Sequence, residues 1–396
     1  MGIQKDRSGT APVRRKEDFL VFGQPLIGDM EIEEVVSCLE SGWLGTGRKV
    51  AHFEEDFKNY RQAPFGIAVN SCTAALHLSF LAAGLGPGDE VITSAMTFCA
   101  TVNAIIHCGA TPILADCDSE TFCILPDAIR ERITPNTKAI VPVHFAGTAC
   151  DMDDIMEIAE EKKLKIIEDC AHAIETTHKG RPIGTFGDFG CFSFYVTKNV
   201  VTGEGGMVLC KQKENAEKVK ILALHGMSKD AWHRFSDEQY KHYDVVESGF
   251  KYNMMDLQAA IGIHQLRSVN QNWERRKRIW ETYQKNLSDL PLKLPVSPPP
   301  YVKHAYHLFT VLVDKEVCGI SRDEFLEQMT AENIGIGVHY LSIPSHPFYQ
   351  EKFHWNPRDY PNSLRIGEQT VSLPLSAKLT EKDVDDILKA VHKVLG

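Results

Sequence analysis

Between residues 65 and 209, short apolar stretches alternate with helical ones, and this alternation restricts the chain to few folds. Phe65–Val69, Glu90–Ile92, Thr111–Ala115, Ala139–Val143, Lys165–Ile167, Phe189–Phe194 and Gly206–Leu209 read as strands. Ala74–Ala83, Phe98–His107 and Asp153–Lys162 read as helices between them. The strands are apolar throughout rather than alternately apolar and polar. That pattern calls for a mainly parallel sheet with helices on both faces, an α/β architecture.

The flanks read differently. Apolar residues at helical spacing predict helices over Met30–Ser41, stopped by Gly42, and over Val50–Tyr60. Gly249–Leu266 is a long apolar segment that closes the first unit, and Trp273–Leu287 is a charged helix leading away from it. After the proline-rich loop Pro291–Pro300, His307–Val313 and Gly337–Tyr340 read as strands and Ser321–Glu332 as a helix. Thr380–Leu395 reads as a terminal helix capped by Thr380. The expected division is a disordered tail over 1–22, a large domain over 23–270 and a smaller α+β domain over 271–396.

A net charge of −10 speaks against a general nucleic-acid binder, which would carry a basic stripe. Local backbone amides still allow a phosphate-bearing ligand. The 11 cysteines are scattered and form no C-x-x-C pair. They read as reduced thiols of a cytoplasmic protein, with no metal site. Met1–Asp18 has no apolar core and is not a secretory signal. No uncharged apolar run approaches the roughly 20 residues that span a bilayer, so no membrane partner is expected.

The densest chemical signal is the stretch from Ile166 to Gly206, IIEDCAHAIETTHKGRPIGTFGDFGCFSFYVTKNVVTGEGG. Glu168 and Asp169 follow a buried strand, where a carboxylate points into the crevice that binds ligands in α/β proteins. Lys198 sits between an apolar strand and a glycine-rich turn. A lysine there is partly desolvated, which lowers its pKa and exposes a nucleophilic amine. Ser71, Cys72 and Thr73 open an apolar helix after a strand, where free amides and the helix dipole favour an anion. Such a set suits pyridoxal phosphate, which needs a Schiff-base lysine, a carboxylate for its ring nitrogen and an anion site for its phosphate. Ser193 adds a hydroxyl.

In the stretches NSCTAALHLSFLAAGLGPGDEVITSAMTFCATVNAI, HFAGTACDMD, EDCAHA, GDFGCFSFYVTKNVVTGEGGMV, KYNMMDLQAAIGIHQL and VHYLSIPSHPFY the chain resembles the DegT/DnrJ/EryC1/StrS sugar aminotransferases. The resemblance runs from about Gly23 to the C-terminus. HFAGTACDMD, LHGMSKDAW and KYNMMDLQAAI look most like the branch acting on UDP-4-keto sugars. It implies the type I aminotransferase fold, with a mostly parallel seven-stranded sheet and a smaller C-terminal domain. By the same resemblance Lys198 is the Schiff-base lysine and acid/base, and Asp169 pairs with the pyridine nitrogen. Phe98 stacks on the ring, and Thr73 and Ser193 bind the phosphate. Asn253 reaches that phosphate from the neighbouring subunit of a homodimer. His172 stands near the 3-hydroxyl, where many members have Gln, and brings a pH-sensitive tautomer. Cys72 replaces a usual small residue, and His339 touches substrate or partner loops. The substrates implied are a nucleotide-linked keto-sugar and an amino-acid donor, glutamate. A dehydratase branch carries His at the lysine position, so Lys198 favours amino transfer.

Plainer readings stand beside these. Ser71 and Thr73 are also ordinary helix caps, Asp169 an ion-pair partner, Phe98 and His172 core residues, and GEGG a tight turn. Amination at C3 of a dTDP-linked sugar, a lyase or desulfurase on the same fold, and a regulatory protein without catalysis remain alternatives. A nicotinamide dehydrogenase does not, because no strand leads into G-x-G-x-x-G.

Overall fold

The computed structural model describes residues 11–228 and 243–396. The large unit is built on strands β1 (Phe65–Val69), β2 (Glu90–Ser94), β3 (Thr111–Ala115), β4 (Thr137–Val141) and β5 (Lys165–Asp169), the short hairpin β6 (Thr177–His178) and β7 (Arg181–Pro182), and β8 (Phe189–Ser193) and β9 (Gly206–Cys210). Its helices are α1 (Asp29–Glu40), α2 (Arg48–Arg61), α3 (Cys72–Ala82), α4 (Cys99–His107), α5 (Pro126–Arg132), α6 (Met152–Lys162), α7 (Lys213–Ala223) and α8 (Asp256–Asn286). Beyond them lie strands β10 (Val302–Lys303), β11 (Phe309–Leu312) and β12 (Thr370–Leu373). The remaining helices are α9 (Lys315–Cys318), α10 (Arg322–Ala331), α11 (Pro347–Phe353), α12 (Pro361–Gln369) and α13 (Glu381–Leu395).

Seven strands form one sheet in the order β1-β9-β8-β5-β4-β2-β3. β9 is antiparallel to both of its neighbours, and the other paired neighbours run parallel. Both faces are covered, which is why the strands are apolar throughout. Phe53 and Phe57 of α2, Ile155 of α6 and Ile263 of α8 pack one face. Leu76, Leu78 and Phe80 of α3, Ile105 of α4 and Val219 and Leu222 of α7 pack the other. A separate core in the C-terminal part gathers Phe309, Phe325, Val371 and Ile387 around Tyr283 and Trp280 of α8.

The structure departs from the sequence reading at several points. Gly249–Leu266 and Trp273–Leu287 are not two segments. Residues 256–286 form one helix, α8, of 31 residues, roughly 45 Å long, and it runs through position 270. Its first half is buried under the sheet and its second half carries the C-terminal core. Gly337–Tyr340 is not a strand: only Gly337 pairs, with Ser372, and His339 turns its Nδ1 onto Ser372 Oγ at 2.9 Å. Residues 11–22, expected to be disordered, are bound to the C-terminal part. Arg14 reaches Asp383 and Asp386 at 2.7 and 2.9 Å, and Leu20 is buried and bridges Ile334. Residues 1–10 lie outside the described residues, as does the KDAW end of LHGMSKDAW.

One contact anchors the N-terminal helices to the sheet. The carboxylate of Asp256, buried at the start of α8, accepts from the backbone N–H groups of Gly47, Lys49 and Val50 at 2.8, 3.3 and 3.0 Å. These are the orphan donors of the first turn of α2. Asp256→Ala is expected to cost about 2 kcal/mol and lower the urea midpoint, while Asp256→Asn, which keeps an acceptor, loses less than half of that. Equal midpoints for wild type and Asp256→Ala would remove the capping role.

Candidate active site

Successive residues of a strand point to opposite faces, and this separates the two acids of β5. Glu168 turns away from the crevice. Its Oε1 accepts from the N–H groups of Phe186 and Gly187, both at 2.8 Å, and its Oε2 accepts from Gly184 N–H at 2.7 Å and lies 3.3 Å from His144 Nε2. It is a structural carboxylate, so only Asp169 of the pair faces the crevice. Asp169 Oδ2 accepts from Thr101 Oγ1 at 2.8 Å and Oδ1 from Ala171 N–H at 3.1 Å. Burial pushes its carboxyl above the usual range, and the two hydrogen bonds offset this only in part. Thr101, from α4, was not singled out in the sequence.

Lys198 lies in the loop between β8 and β9, its N–H bonded to Tyr195 O at 2.8 Å. Lys198 is half-buried, and burial pulls its pKa down to about 8, with the Asp169 charge opposing. At pH 7 about a tenth is therefore free amine, about two hundred-fold more than for an ordinary lysine of pKa about 10.4. Burial holds the Cys72 thiol well above its usual value, so it stays protonated.

The start of α3 forms a cradle beside them. Ser71 is its N-cap, with Oγ accepting from Ala74 N–H at 3.1 Å, and Cys72 and Thr73 are half-buried in the first turn. Gly206 of β9 closes the cradle from behind: a Cβ there would lie 2.6 Å from Ser71 O and 2.8 Å from Cys72 N. Ser193, buried at the end of β8, pairs with Gly206. Asn253 bridges Val69 of its own chain, and its Nδ2 donates to Thr46 Oγ1 at 2.6 Å. Its buried Oδ1 has no hydrogen-bond partner among the described residues. Phe98 is not core: as the residue before α4 it is 53% exposed, its ring 5.4 Å from that of Tyr340.

Histidines crowd the other side. His172 Nδ1 accepts from Ala146 N–H at 3.2 Å, and its Nε2 lies 2.9 Å from Tyr340 Oη. The expected pH-sensitive tautomer is not what the structure holds. Burial first, then the Lys198 charge, pushes the His172 imidazole well below its usual pKa, and the Ala146 bond fixes which nitrogen accepts. His339, its ring tilted 34° to that of Phe22 at a centroid distance of 5.4 Å, is pushed down to about 3 for the same two reasons. His307 and Tyr340 complete the cluster. Sequence reading singled out neither: Tyr340 lies in the VHYLSIPSHPFY stretch beside His339, and His307 in a segment with no motif of its own, and only the fold brings them to the site.

These residues fit pyridoxal phosphate. Asp169 is a buried carboxylate held by the neutral donors Thr101 and Ala171, the α3 terminus offers amides, and Lys198 is a half-buried amine with its pKa lowered by desolvation. Among the described residues His144, Glu168 and Cys170 come within ligand distance of one another, but the four donors on Glu168 already occupy its oxygens.

A sheet with one reversed strand, a lysine on the loop entering that strand and an acid at the centre define a type I aminotransferase. The chain belongs to the DegT/DnrJ/EryC1/StrS aminotransferase family, whose profile matches residues 25–392. It is 46% identical over 388 residues to the spore coat polysaccharide biosynthesis protein SpsC of Bacillus subtilis, covering 97% of this chain and 99% of that one. An uncharacterized protein of Methanocaldococcus jannaschii is 45% identical over 381 residues, covering 96% and 99%. Among solved structures, the putative sugar aminotransferase Spr1654 of Streptococcus pneumoniae in its PLP form superimposes with a TM-score of 0.87. It is 33% identical and covers 96% of this chain and 100% of that one. The expected fold, and amino transfer as the activity class, are borne out.

Burial of Lys198 has a thermodynamic signature. Its folded pKa lies below the unfolded value of about 10.4, so the unfolded chain binds more protons between pH 8 and 10.4 and stability rises with pH there. In the cofactor-free protein, Lys198→Met is expected to be more stable than wild type by about 2–3 kcal/mol at pH 7. The margin should shrink as pH rises from 8 to 10.5. A margin that is flat with pH in urea titrations would contradict the desolvated amine.

Proposed function

We propose that this protein transfers an amino group from L-glutamate to C4 of a UDP-linked 4-keto sugar, with pyridoxal phosphate held on Lys198. The observation that carries the reading is the desolvated Lys198 amine, pKa about 8, set beside Asp169 at the carboxyl end of the sheet. The motifs HFAGTACDMD and KYNMMDLQAAI support the UDP-4-keto branch, and the polysaccharide role in the SpsC name is in keeping with it.

Bound in the crevice, pyridoxal phosphate supplies an aldehyde for amines and a ring that absorbs the electron pair of a lost proton. Asp169 holds a proton on the ring nitrogen, which its desolvated carboxylate favours by gaining a cationic partner. The first turn of α3, with Ser71, Cys72 and Thr73, binds the phosphate, and Ser193 adds its hydroxyl. Phe98 covers the ring with its exposed face. His172, kept neutral, holds its place beside the 3-hydroxyl side. Lys198 would hold the cofactor and, once its amine is free, would serve as the acid/base that moves the proton at the donor's α-carbon and at the sugar carbon. His339, beside Phe22, borders the sugar.

The working unit in this reading is a homodimer. Leu26, Ile27, Met30, Ile32, Val36, Leu39, Trp43 and Leu44 leave an exposed apolar surface on and around α1, of the kind a second copy covers. Asn253 uses one Nδ2 hydrogen on Thr46 and offers the other to the partner's phosphate site. The 11 cysteines are all free, in keeping with a cytoplasmic setting. No described helix is long and apolar enough to cross a membrane.

Lys198→Ala and Lys198→Arg are expected to lose turnover by at least about 10³-fold, together with the visible absorbance of the holoenzyme and its bleaching by glutamate. Normal turnover in Lys198→Ala would sink the reading. A panel of UDP- and dTDP-linked keto-sugars with glutamate, read by product mass and fragmentation, should give a 4-amino UDP-sugar. A 3-amino dTDP-sugar as the main product would replace the substrate assignment and leave amino transfer standing.

A further inference from the structure

The loop 43–47 and the segment 253–256 are stapled together by polar contacts. Asp256 N–H donates to Gly45 O at 3.0 Å, and Gly47 N–H donates to Asp256 Oδ1 at 2.8 Å. Within the loop, the Trp43 indole N–H donates to Thr46 O at 3.2 Å. At the centre, the Thr46 hydroxyl oxygen lies 2.5 Å from Met254 O and 2.6 Å from Asn253 Nδ2. Trp43, Leu44 and Met255, close to Thr46 and Asn253 in the chain, are exposed. Trp43 and Leu44 belong to the apolar surface assigned above to a second copy, so Thr46 and Asn253 sit at its edge.

These contacts decide which way the Asn253 amide points. A carbonyl oxygen only accepts, so the Thr46 hydroxyl proton goes to Met254 O. The hydroxyl then has only lone pairs left for Asn253 and requires a donor there. A reversed amide would set Oδ1 against those lone pairs, so the atom on Thr46 is Nδ2. The oxygen is covered by protein, while Asn253 as a whole is half-buried. The nitrogen, with one N–H still unused, is thus the end that a second molecule can meet. The direction matters for an anion. A phosphate oxygen accepts, so an N–H aimed at it makes a charge-assisted bond, whereas an amide oxygen aimed at it repels.

We propose that Thr46 is a positioning residue for cofactor binding: by giving its hydroxyl proton to Met254 O, it locks the Asn253 amide with the nitrogen outward, so that the unused N–H meets the phosphate held in the partner subunit. The lock is separate from the staple. The Gly45, Gly47 and Trp43 contacts do not involve the Thr46 hydroxyl, so removing that hydroxyl frees the amide and leaves the loop in place. This inference rests on the assignment of Asn253 to the partner's phosphate site made above.

The test is titration of the cofactor-free protein with pyridoxal phosphate and with pyridoxal, which lacks the phosphate, followed by the visible absorbance of the bound aldehyde. Asn253→Ala and Thr46→Val are each expected to raise the Kd for pyridoxal phosphate about tenfold, the loss of one hydrogen bond to a charged group. The Kd for pyridoxal should stay within about twofold. Thr46→Ser, which keeps the hydroxyl, should match the wild type on both. A Thr46→Val protein that binds both ligands as the wild type does, or that loses both to the same extent, would overturn the proposal. Should Thr46→Val fail to fold, a crystal structure of the wild-type holoprotein decides. One amide atom of Asn253 should lie within about 3.2 Å of both Thr46 Oγ1 and a phosphate oxygen; a phosphate against the other amide atom, or against neither, overturns the proposal. The two readings fail separately. If Asn253→Ala leaves the Kd for pyridoxal phosphate unchanged, the assignment of Asn253 falls; if Asn253→Ala raises it and Thr46→Val does not, only this inference falls.

Discussion

Glu168 has no access to water, and the site is arranged around its hydrogen bonds. Three backbone N–H groups from the turn at 184–187 and the His144 ring converge on one carboxylate. A buried carboxylate without such donors would cost several kcal/mol. With them it pins the end of β5 to the segments on either side. Since the strand alternates, pinning Glu168 on one face commits Asp169 to the other. The acid that faces the crevice is thus aimed by the acid that does not.

The neighbourhood is held by the same kind of contact. Arg61, at the end of α2, donates to the carbonyls of Ile174, Thr176 and Ile183 at 2.6–2.8 Å, so the segment after His172 has little freedom. Glu175 and Arg276 tie that segment to α8, and Asn199 ties both to the loop of Lys198. In a low-dielectric site these polar contacts keep their geometry without water. The same exclusion of water lowers the pKa of Lys198 and holds the surrounding histidines neutral. Desolvation thus both rigidifies the site and activates its amine.

Much of this was legible in the chain. The seven sheet strands were found within a few residues because both faces are covered, and full burial leaves an unbroken apolar signature. Lys198, Asp169 and the Ser71–Thr73 turn were legible because each sits at a strand end in a local pattern. The boundary near residue 270 was not readable as helix: α8 changes from apolar to charged where its cover changes from sheet to C-terminal core, and the helix itself continues. Residues 11–22 look like a polar tail, yet Arg14 is met by Asp383 and Asp386 and the Val13 N–H by Glu332, all from far along the chain.

By itself the sequence determined the layered architecture and the family and pointed to Lys198, since these rest on periodicity and on residues close together in the chain. Tertiary structure alone decided which of two adjacent acids faces the crevice, that Thr101, Tyr340 and His307 join the site, and that His172 is a fixed neutral donor. The physical reason is the same in each case. Side-chain direction, burial and hydrogen-bond partners are set by contacts between segments far apart in the chain, 168 residues in the case of His172 and Tyr340, and protonation follows from those contacts. A lysine in a glycine-flanked stretch can be found by reading the chain, but its working state is fixed by the groups that the fold brings around it.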